Sequence, residues 1–215
     1  MDAVNNDVLH HREMFAGVRK LLSERFGSQA FSMGEFGCGD SNSMVNVLKN
    51  LPVSSYLGVD LAPDLIANAP SVLKEIPCTK EFICDDITKA IANTPLKFDV
   101  VFSAYTMHHL SHEQKADFTN HAFEKLNAGG LFILVDGVRA ANQTREEWLA
   151  HLETDMHEET QIGEDLDKFV HHVRNYDFPD SIEELKEIST LRPWKSFSVV
   201  IDKSMYAMLV YEKAR

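Results

Sequence analysis

The chain has 215 residues, of which 44% are hydrophobic and 25% charged, a balance typical of a globular protein with a buried core. Its 33 acidic residues outnumber the 21 basic ones, and the resulting formal charge of -12 argues against nucleic acid and anionic membranes as partners. The three cysteines form no CxxC pair and are too few for a disulfide framework, and no apolar run approaches the ~18 residues that predict a membrane span.

The first part of the chain predicts two helices around one strand. Apolar residues at near-helical spacing over 14–26 predict a helix that ends at Gly27. A strand over 31–36 then runs into the glycine turn at residues 37–39, and a second helix follows up to Pro52. This is the start of an alternating α/β pattern.

Four more strands follow, separated by helices, as expected for a parallel sheet covered on its faces. A capping box at Ser111 and Gln114 predicts the start of the helix before the last of them, and Gly129 and Gly130 predict its end. The predicted strands lie over 56–59, 81–84, 98–103 and 131–135.

The pattern changes after the fifth strand. Residues 139–180 predict two helices and no strand, the first starting at a capping box of Thr144 and Glu147. After a helix capped at Ser181, two strands over about 196–201 and 205–211 are joined by a link too short for a parallel crossover, so they predict an antiparallel hairpin. We therefore expect one domain over residues 1–215, with 139–180 as a helical lid or insert.

Acidic residues follow the first three strands of the predicted sheet. In an open parallel sheet, ligands bind beyond the carboxyl ends of the strands. Glu35, just before the glycine turn, repels a pyrophosphate but suits the ammonium group of an amino acid. Asp60 is placed to hold the hydroxyls of a ribose, and Asp86 to accept from an adenine amino group.

With these motifs, the sequence resembles the class I methyltransferases that use S-adenosylmethionine (SAM). Residues 35–39 resemble that family's first motif, 58–60 its ribose motif, 98–104 its fourth-strand motif and 126–130 the turn before its fifth strand. Ser41 departs from the pattern, since many members have a third glycine there. The resemblance implies these cofactor-binding residues: Glu35, Gly37, Cys38, Gly39, Asp60, Leu61, Asp85, Asp86, Ile87, Ser103 and Ala104.

The implied fold is α/β, a Rossmann-like class I methyltransferase fold with a mostly parallel seven-stranded sheet, an antiparallel C-terminal hairpin and a helical insert before it. The implied reaction is methyl transfer from SAM to a small-molecule acceptor, by in-line displacement at the sulfonium methyl. A homodimer is compatible with the sequence. Because residues 1–7 lack the basic and apolar regions of a secretory signal, we expect a cytoplasmic protein.

The acceptor site is predicted less directly. His108 and His109 lie just beyond the fourth strand and are the candidate catalytic bases for a hydroxyl acceptor. Tyr105, Trp148 and His172 are the candidate acceptor-binding residues. No HExxH or paired-cysteine pattern accompanies the histidines, so the sequence predicts no metal site.

Two other functions fit parts of the sequence. A nicotinamide-dependent oxidoreductase would share the fold, but its G-x-G-x-x-G fingerprint requires a third glycine where this chain has Asn42. A SAM-binding protein without transferase activity would keep all the cofactor motifs. Binding of NADH would distinguish the oxidoreductase from a methyltransferase. Turnover with an acceptor would distinguish a methyltransferase from a SAM-binding protein without activity.

Overall fold

The computed structural model describes residues 10–159 and 164–215, apart from the side chains of 155–159 and 164–169. The prediction about the N-terminus concerns residues 1–7, which lie outside the described residues.

The sheet contains seven strands in the order β3-β2-β1-β4-β5-β7-β6. The first five pair in parallel, and β7 pairs antiparallel with both β5 and β6. The predicted fold class is thereby confirmed. The strands are β1 (Phe31–Phe36), β2 (Val53–Asp60), β3 (Thr79–Cys84), β4 (Phe98–Ala104), β5 (Leu126–Gly137), β6 (Trp194–Asp202) and β7 (Tyr206–Lys213).

Helices cover both faces of this sheet. Among the described residues, no helix combines the length and the apolar character needed to cross a membrane. The helices are α1 (His11–Phe26), α2 (Asn42–Leu48), α3 (Pro63–Val72), α4 (Ile87–Asn93), α5 (His112–Lys125), α6 (Arg145–Glu159), α7 (Glu164–Tyr176) and α8 (Ile182–Ser189), with a short 3₁₀ turn at Met107–His109.

The core lies in two layers, one on each side of the sheet. Buried residues of α1, α2 and α3 pack on one face, and those of α4, α5 and α8 pack on the other. A separate small cluster forms where α6 and α7 of the insert meet Met205. The near-continuous apolar sequence of β5 follows from this arrangement, because its two faces are both buried.

The strand order reverses between the neighbours β1 and β4. From β1 the chain continues to β2 on one side of this pair, and from β4 it continues to β5 on the other side. The carboxyl ends of β1, β2, β3 and β4 therefore border one crevice, and this is where such sheets bind ligands.

The predicted capping boxes at Ser111 and Ser181 are both formed, but one boundary prediction was wrong. The helix before β5 ends at Lys125 rather than at the glycine pair, and β5 begins at Leu126. The reason is a bulge: Leu126 pairs with Phe98 of β4 and Leu131 pairs with Val100, so the intervening residues of β5 leave the ladder. Their polar groups find partners outside a helix, as when the Gly129 N–H donates to the Ala214 carbonyl at 3.0 Å.

Candidate functional site

A cavity of about 490 Å³ lies at the point where the strand order reverses. Its walls come from the tips of four parallel strands and from α1, so it joins residues that are far apart in sequence. The lining residues are His11, Phe15, Glu35, Gly37, Cys38, Gly39, Asp40, Asn42, Ser43, Asp60, Leu61, Leu65, Asp86, Ile87, Ala104, Tyr105, Thr106, His109 and Leu110.

Glu35 is the buried acid of this cavity. Only 3% of its surface is exposed, and the Tyr56 hydroxyl donates to its carboxylate. The Tyr56 hydroxyl also shares a 2.9 Å hydrogen bond with Ser41. Burial, which outweighs the bond from Tyr56, raises the pKa of Glu35 from 4.5 to about 8, with a further rise caused by the nearby Asp60. An uncompensated carboxylate in this position favours a cationic partner.

The glycine turn brings the backbone close to the cavity. Gly37 has φ +88°, and a Cβ there would lie 2.1 Å from the Thr106 side-chain oxygen, so only glycine fits. Ser41 also adopts the left-handed region, with φ +60°, which explains why a glycine suits this position in related sequences. Its hydroxyl bond to Tyr56 offsets part of the ~1–2 kcal/mol backbone cost.

Asp60 orders the turn from the tip of β2. One carboxylate oxygen accepts from the Gly39 N–H at 2.8 Å, and the other accepts from the Ala62 N–H at 2.9 Å. Each oxygen keeps a second lone pair, so Asp60 can hold the turn and still accept from a ligand hydroxyl.

Asp86 caps α4 at the tip of β3. Its Oδ1 accepts from the backbone N–H groups of Thr88 and Lys89. Burial raises the pKa of Asp86, but a hydrogen bond from the Thr88 hydroxyl, together with the two backbone bonds, outweighs burial and lowers the pKa overall. Asp86 is therefore held as a charged acceptor beside the cavity.

The electrostatics of the cavity are one-sided. Four carboxylates line it, from Glu35, Asp40, Asp60 and Asp86, and the described lining includes no lysine or arginine. Such a wall attracts cations and opposes phosphate or other anionic groups.

An aromatic wall closes the other side of the cavity. The rings of His11 and Tyr105 lie 4.3 Å apart, and the Phe15 and Tyr105 rings lie 6.4 Å apart. Tyr105 has φ +49°, a conformation that is costly for a bulky residue and is often retained at functional sites. This wall combines apolar area with polar edges, as small-molecule sites usually do.

His109 is the part of the Met107–His109 turn that reaches the cavity. Its Nδ1 lies 3.1 Å from the Asp177 Oδ1 and shares a 3.2 Å hydrogen bond with the Tyr176 carbonyl. The interaction with Asp177 raises the pKa of His109, against the opposing effect of burial. The neighbouring His108 points elsewhere: its Nδ1 lies 2.5 Å from Asp136 Oδ1, and it does not line the cavity.

Several predicted site residues do not lie on the cavity surface. Asp85 faces away and accepts from the Asp86 N–H, while the buried Ser103 hydroxyl donates to the Phe36 carbonyl. Trp148 packs within the insert, where its indole N–H donates to the Val138 carbonyl. His172 contacts the edge of the His109 ring from α7 but is not a lining residue. None of the described insert residues lines the cavity; the insert reaches it through contacts with His109.

Sequence reasoning missed two kinds of residue. The helix α1 supplies His11 and Phe15, and no local motif marks a helix that packs over a distant strand tip. Asn42 and Ser43 lie on the cavity at the start of α2, and the signal for them was their place just after the glycine turn, where a helix N-terminus offers free backbone N–H groups.

Comparison with known proteins gives a consistent result. Residues 35–132 match the model of a family described as "Methyltransferase domain". These residues include the glycine turn, all three acidic strand tips and most of β5.

One curated relative is "Carboxy-S-adenosyl-L-methionine synthase" from Campylobacter concisus, which is 31% identical over 122 residues. The match covers 55% of this chain and 49% of the relative. The chain thus spans about half the length of the curated relatives it matches.

Solved structures share the fold over nearly the whole chain. An O-methyltransferase family protein from Burkholderia thailandensis has a TM-score of 0.71 at 15% identity, over 99% of this chain and 59% of the other. The plantazolicin methyltransferase BpumL, solved with SAH, has a TM-score of 0.69 at 14% identity, over 99% and 89% of the two chains. Identities this low establish the fold alone.

Proposed function

We propose that the chain carries a class I SAM-dependent methyltransferase domain and transfers the methyl group of SAM to a small-molecule acceptor, an interpretation supported by the match of residues 35–132 to a methyltransferase family model. The observation that carries the proposal is the set of four carboxylates around one cavity whose described lining includes no lysine or arginine.

The donor set fits three of the chemical groups of SAM. The buried Glu35 carboxylate suits the ammonium group, Asp60 suits the ribose hydroxyls, and Asp86 suits the adenine amino group. When bound, SAM supplies an electrophilic methyl group on a positively charged sulfur. The acidic wall favours that charge, whereas it opposes the pyrophosphate of a nicotinamide cofactor. This comparison favours methyl transfer over the oxidoreductase alternative.

The remaining task of the protein is to place an acceptor. We assign this role to the wall formed by His11, Phe15 and Tyr105, with His109 at its border. These rings exclude water from one side of the cavity and provide a flat surface for an apolar or aromatic acceptor. Because the opposite wall is acidic, the acceptor is a neutral or cationic molecule rather than a carboxylate or phosphate.

The test is a calorimetric titration of the purified chain with SAM, S-adenosylhomocysteine and NADH. We expect micromolar dissociation constants for the first two, about -8 kcal/mol, and no binding of NADH. Two variants form a matched pair. Asp60→Ala removes an acid at a strand tip that lines the cavity, and Asp85→Ala removes an acid at another strand tip that does not line it. Loss of SAM binding in the first variant alone supports the proposal; NADH binding without SAM binding overturns it.

A second candidate function is suggested by the curated relatives, whose name states that they make a carboxylated form of SAM. Such a product adds a negative charge beside the sulfonium. The lack of lysine and arginine among the described lining residues weighs against it, because a carboxylate in an acidic cavity needs a cationic partner.

The two candidates give different products. Mass spectrometry of the reaction with SAM and a panel of neutral and cationic acceptors is expected to show S-adenosylhomocysteine and a methylated acceptor. In a parallel reaction that also contains a carboxylic acid as the source of the carboxyl group, a nucleoside product heavier than SAM by the mass of CO2 would instead support the second candidate. Stoichiometric SAM binding with neither product would favour a SAM-binding protein without transferase activity.

A further inference from the structure

Three potential metal ligands meet beside the cavity. They are His108, His109 and Asp177, and one ligand atom from each lies within 4.8 Å of the others. Asp177 Oδ1 is 3.1 Å from His109 Nδ1, and Asp177 Oδ2 is 3.7 Å from His108 Nε2. Two ligands bound at ~2.1 Å to one tetrahedral ion stand about 3.4 Å apart, so these separations suit a single ion.

His108 is oriented for this role by Asp136. Asp136 Oδ1 lies 2.5 Å from His108 Nδ1, and its Oδ2 accepts from the His108 backbone N–H at 2.9 Å. With the proton held on Nδ1, the lone pair of Nε2 faces Asp177. A carboxylate behind a histidine is the arrangement that fixes the tautomer of metal-binding histidines.

Asp177 is a buried carboxylate whose nearest side-chain partners among the described residues are histidines. Its side chain is 9% exposed, and its Oδ1 lies 3.1 Å from His109 Nδ1 without a hydrogen bond of regular geometry. A buried charge left in this state is costly unless a cation compensates it. In the neutral form of His108, the Nε2 lone pair and Asp177 Oδ2 are two acceptors that face each other across 3.7 Å, so the space between them favours a cation.

We propose that His108 Nε2, His109 Nδ1 and the Asp177 carboxylate form a binding site for a divalent transition-metal ion, whose binding would release to solvent the proton that His109 Nδ1 donates to the Tyr176 carbonyl. The proposal is independent of methyl transfer, because it concerns binding of the ion by the chain alone. It also differs from the sequence analysis, which predicted no metal site because no HExxH or paired-cysteine pattern accompanies the histidines; Asp177 lies far from the two histidines in sequence.

The ligand chemistry identifies the class of ion. Two imidazole nitrogens and one carboxylate suit zinc and its neighbours rather than calcium or magnesium, which prefer oxygen ligands throughout. His172 supplies a fourth donor, since its Nε2 lies 3.9 Å from Asp177 Oδ1 and its side chain is 54% exposed and able to move.

The ion would connect two segments that already touch. The Phe178 N–H donates to the His108 carbonyl at 2.6 Å, which holds the end of the insert against the Met107–His109 turn. Because His109 also lines the cavity, a bound ion would stand at the border of the proposed acceptor wall.

The test is a titration of the full chain, stripped with EDTA, with Zn²⁺ against a chromophoric chelator. We expect one tightly bound Zn²⁺ per chain and a rise in Tm on its addition. Asp177→Asn and His109→Gln remove one ligand each, and each is expected to weaken Zn²⁺ at least tenfold. Asp136→Asn, which only releases the tautomer of His108, is expected to weaken it ~10–100-fold.

The matched control is His171→Gln, an exposed histidine on α7 outside the cluster, and it is expected to bind Zn²⁺ like the parent chain. If Asp177→Asn does not fold, His109→Gln carries the test, because that side chain is 39% exposed. The proposal is overturned if Zn²⁺ does not bind stoichiometrically, or if Asp177→Asn and His109→Gln bind it as tightly as the parent and His171→Gln do.

Discussion

Replacing Glu35 by glutamine tests the electrostatics of the proposed SAM site most directly. Glutamine keeps the shape of the side chain but cannot titrate. In the unliganded protein, burial raises the pKa of Glu35 from 4.5 to about 8. Since each pKa unit corresponds to ~1.36 kcal/mol, this rise corresponds to a contribution of about 5 kcal/mol to the free energy of unfolding at low pH. About 3 kcal/mol of that contribution is lost by pH 7.

The sign of the effect on stability follows from linkage. A raised pKa in the folded state means that the folded protein prefers protonated Glu35, so the stabilisation is complete below pH 4.5 and is lost as the pH rises to about 8. The parent protein should therefore lose about 3 kcal/mol from this group between pH 4.5 and 7, and Glu35→Gln should not. Denaturant unfolding of both unliganded proteins at several pH values measures the difference.

SAM binding should require ionised Glu35, whereas the stability of the unliganded protein favours the protonated form. Pairing with an ammonium group needs the ionised carboxylate, so binding must release the proton that Glu35 holds. With a pKa of about 8, roughly nine-tenths of the unliganded protein is protonated at pH 7, and the affinity should rise about tenfold per pH unit up to pH 8. Glu35→Gln should bind SAM more weakly and without this pH dependence.

The assay is calorimetry of SAM binding in two buffers with different heats of ionisation. The parent should release close to one more proton per SAM than Glu35→Gln does, and this comparison cancels protons released by SAM itself. Asp40→Asn, which removes an acid from the same cavity but leaves the Glu35–Tyr56 pair intact, is the control. Equal proton release from the parent and Glu35→Gln would refute the assigned role of Glu35.

Three further predictions concern the cavity and the core. Gly37→Ala should abolish SAM binding in calorimetry, because its Cβ would lie 2.1 Å from the Thr106 oxygen; Gly37→Ala with Thr106→Ala should recover only part of it, since φ stays at +88°. Phe15→Ala should raise the acceptor KM in steady-state assays while the Kd for SAM stays within about twofold, and an equal loss of both would contradict its placement on the acceptor wall. Phe132→Ala, at a fully buried position, should cost ~3–5 kcal/mol in denaturant unfolding, whereas Val199→Ala, at a position 44% exposed, should change stability by no more than about 0.5 kcal/mol.

Local sequence patterns predicted most of the fold. Glycines, capping boxes and apolar runs act within a few residues, and the strands β1 to β4 lie within two or three residues of their predicted bounds. The start of β5 was missed because Leu126 pairs with β4, the Asn127 side-chain amide donates to Asp99 and the Gly129 N–H donates to Ala214, so these residues do not continue the helix. A local sequence pattern cannot predict hydrogen-bond partners that lie far away in the sequence.

The acidic strand tips were predictable for a general reason. Parallel strands place their carboxyl ends at one edge, so acids that follow successive strands must come together. Glu35, Asp60 and Asp86 accordingly line one cavity. Asp85 shows where this reasoning fails, because adjacent residues at a strand end point to opposite sides, and the choice between them depends on the packing of α4.

The sequence by itself thus determined the sheet and the three acidic tips, because both depend on short-range periodicity and on the common direction of parallel strands. Only the tertiary structure decided what forms the proposed acceptor wall and what surrounds the histidines. The packing of α1 brings Phe15 to the cavity, and the return of the chain after α7 brings Asp177 to His108 and His109. Contacts of this kind arise from how whole helices dock on the sheet, and no residue spacing along the chain records them.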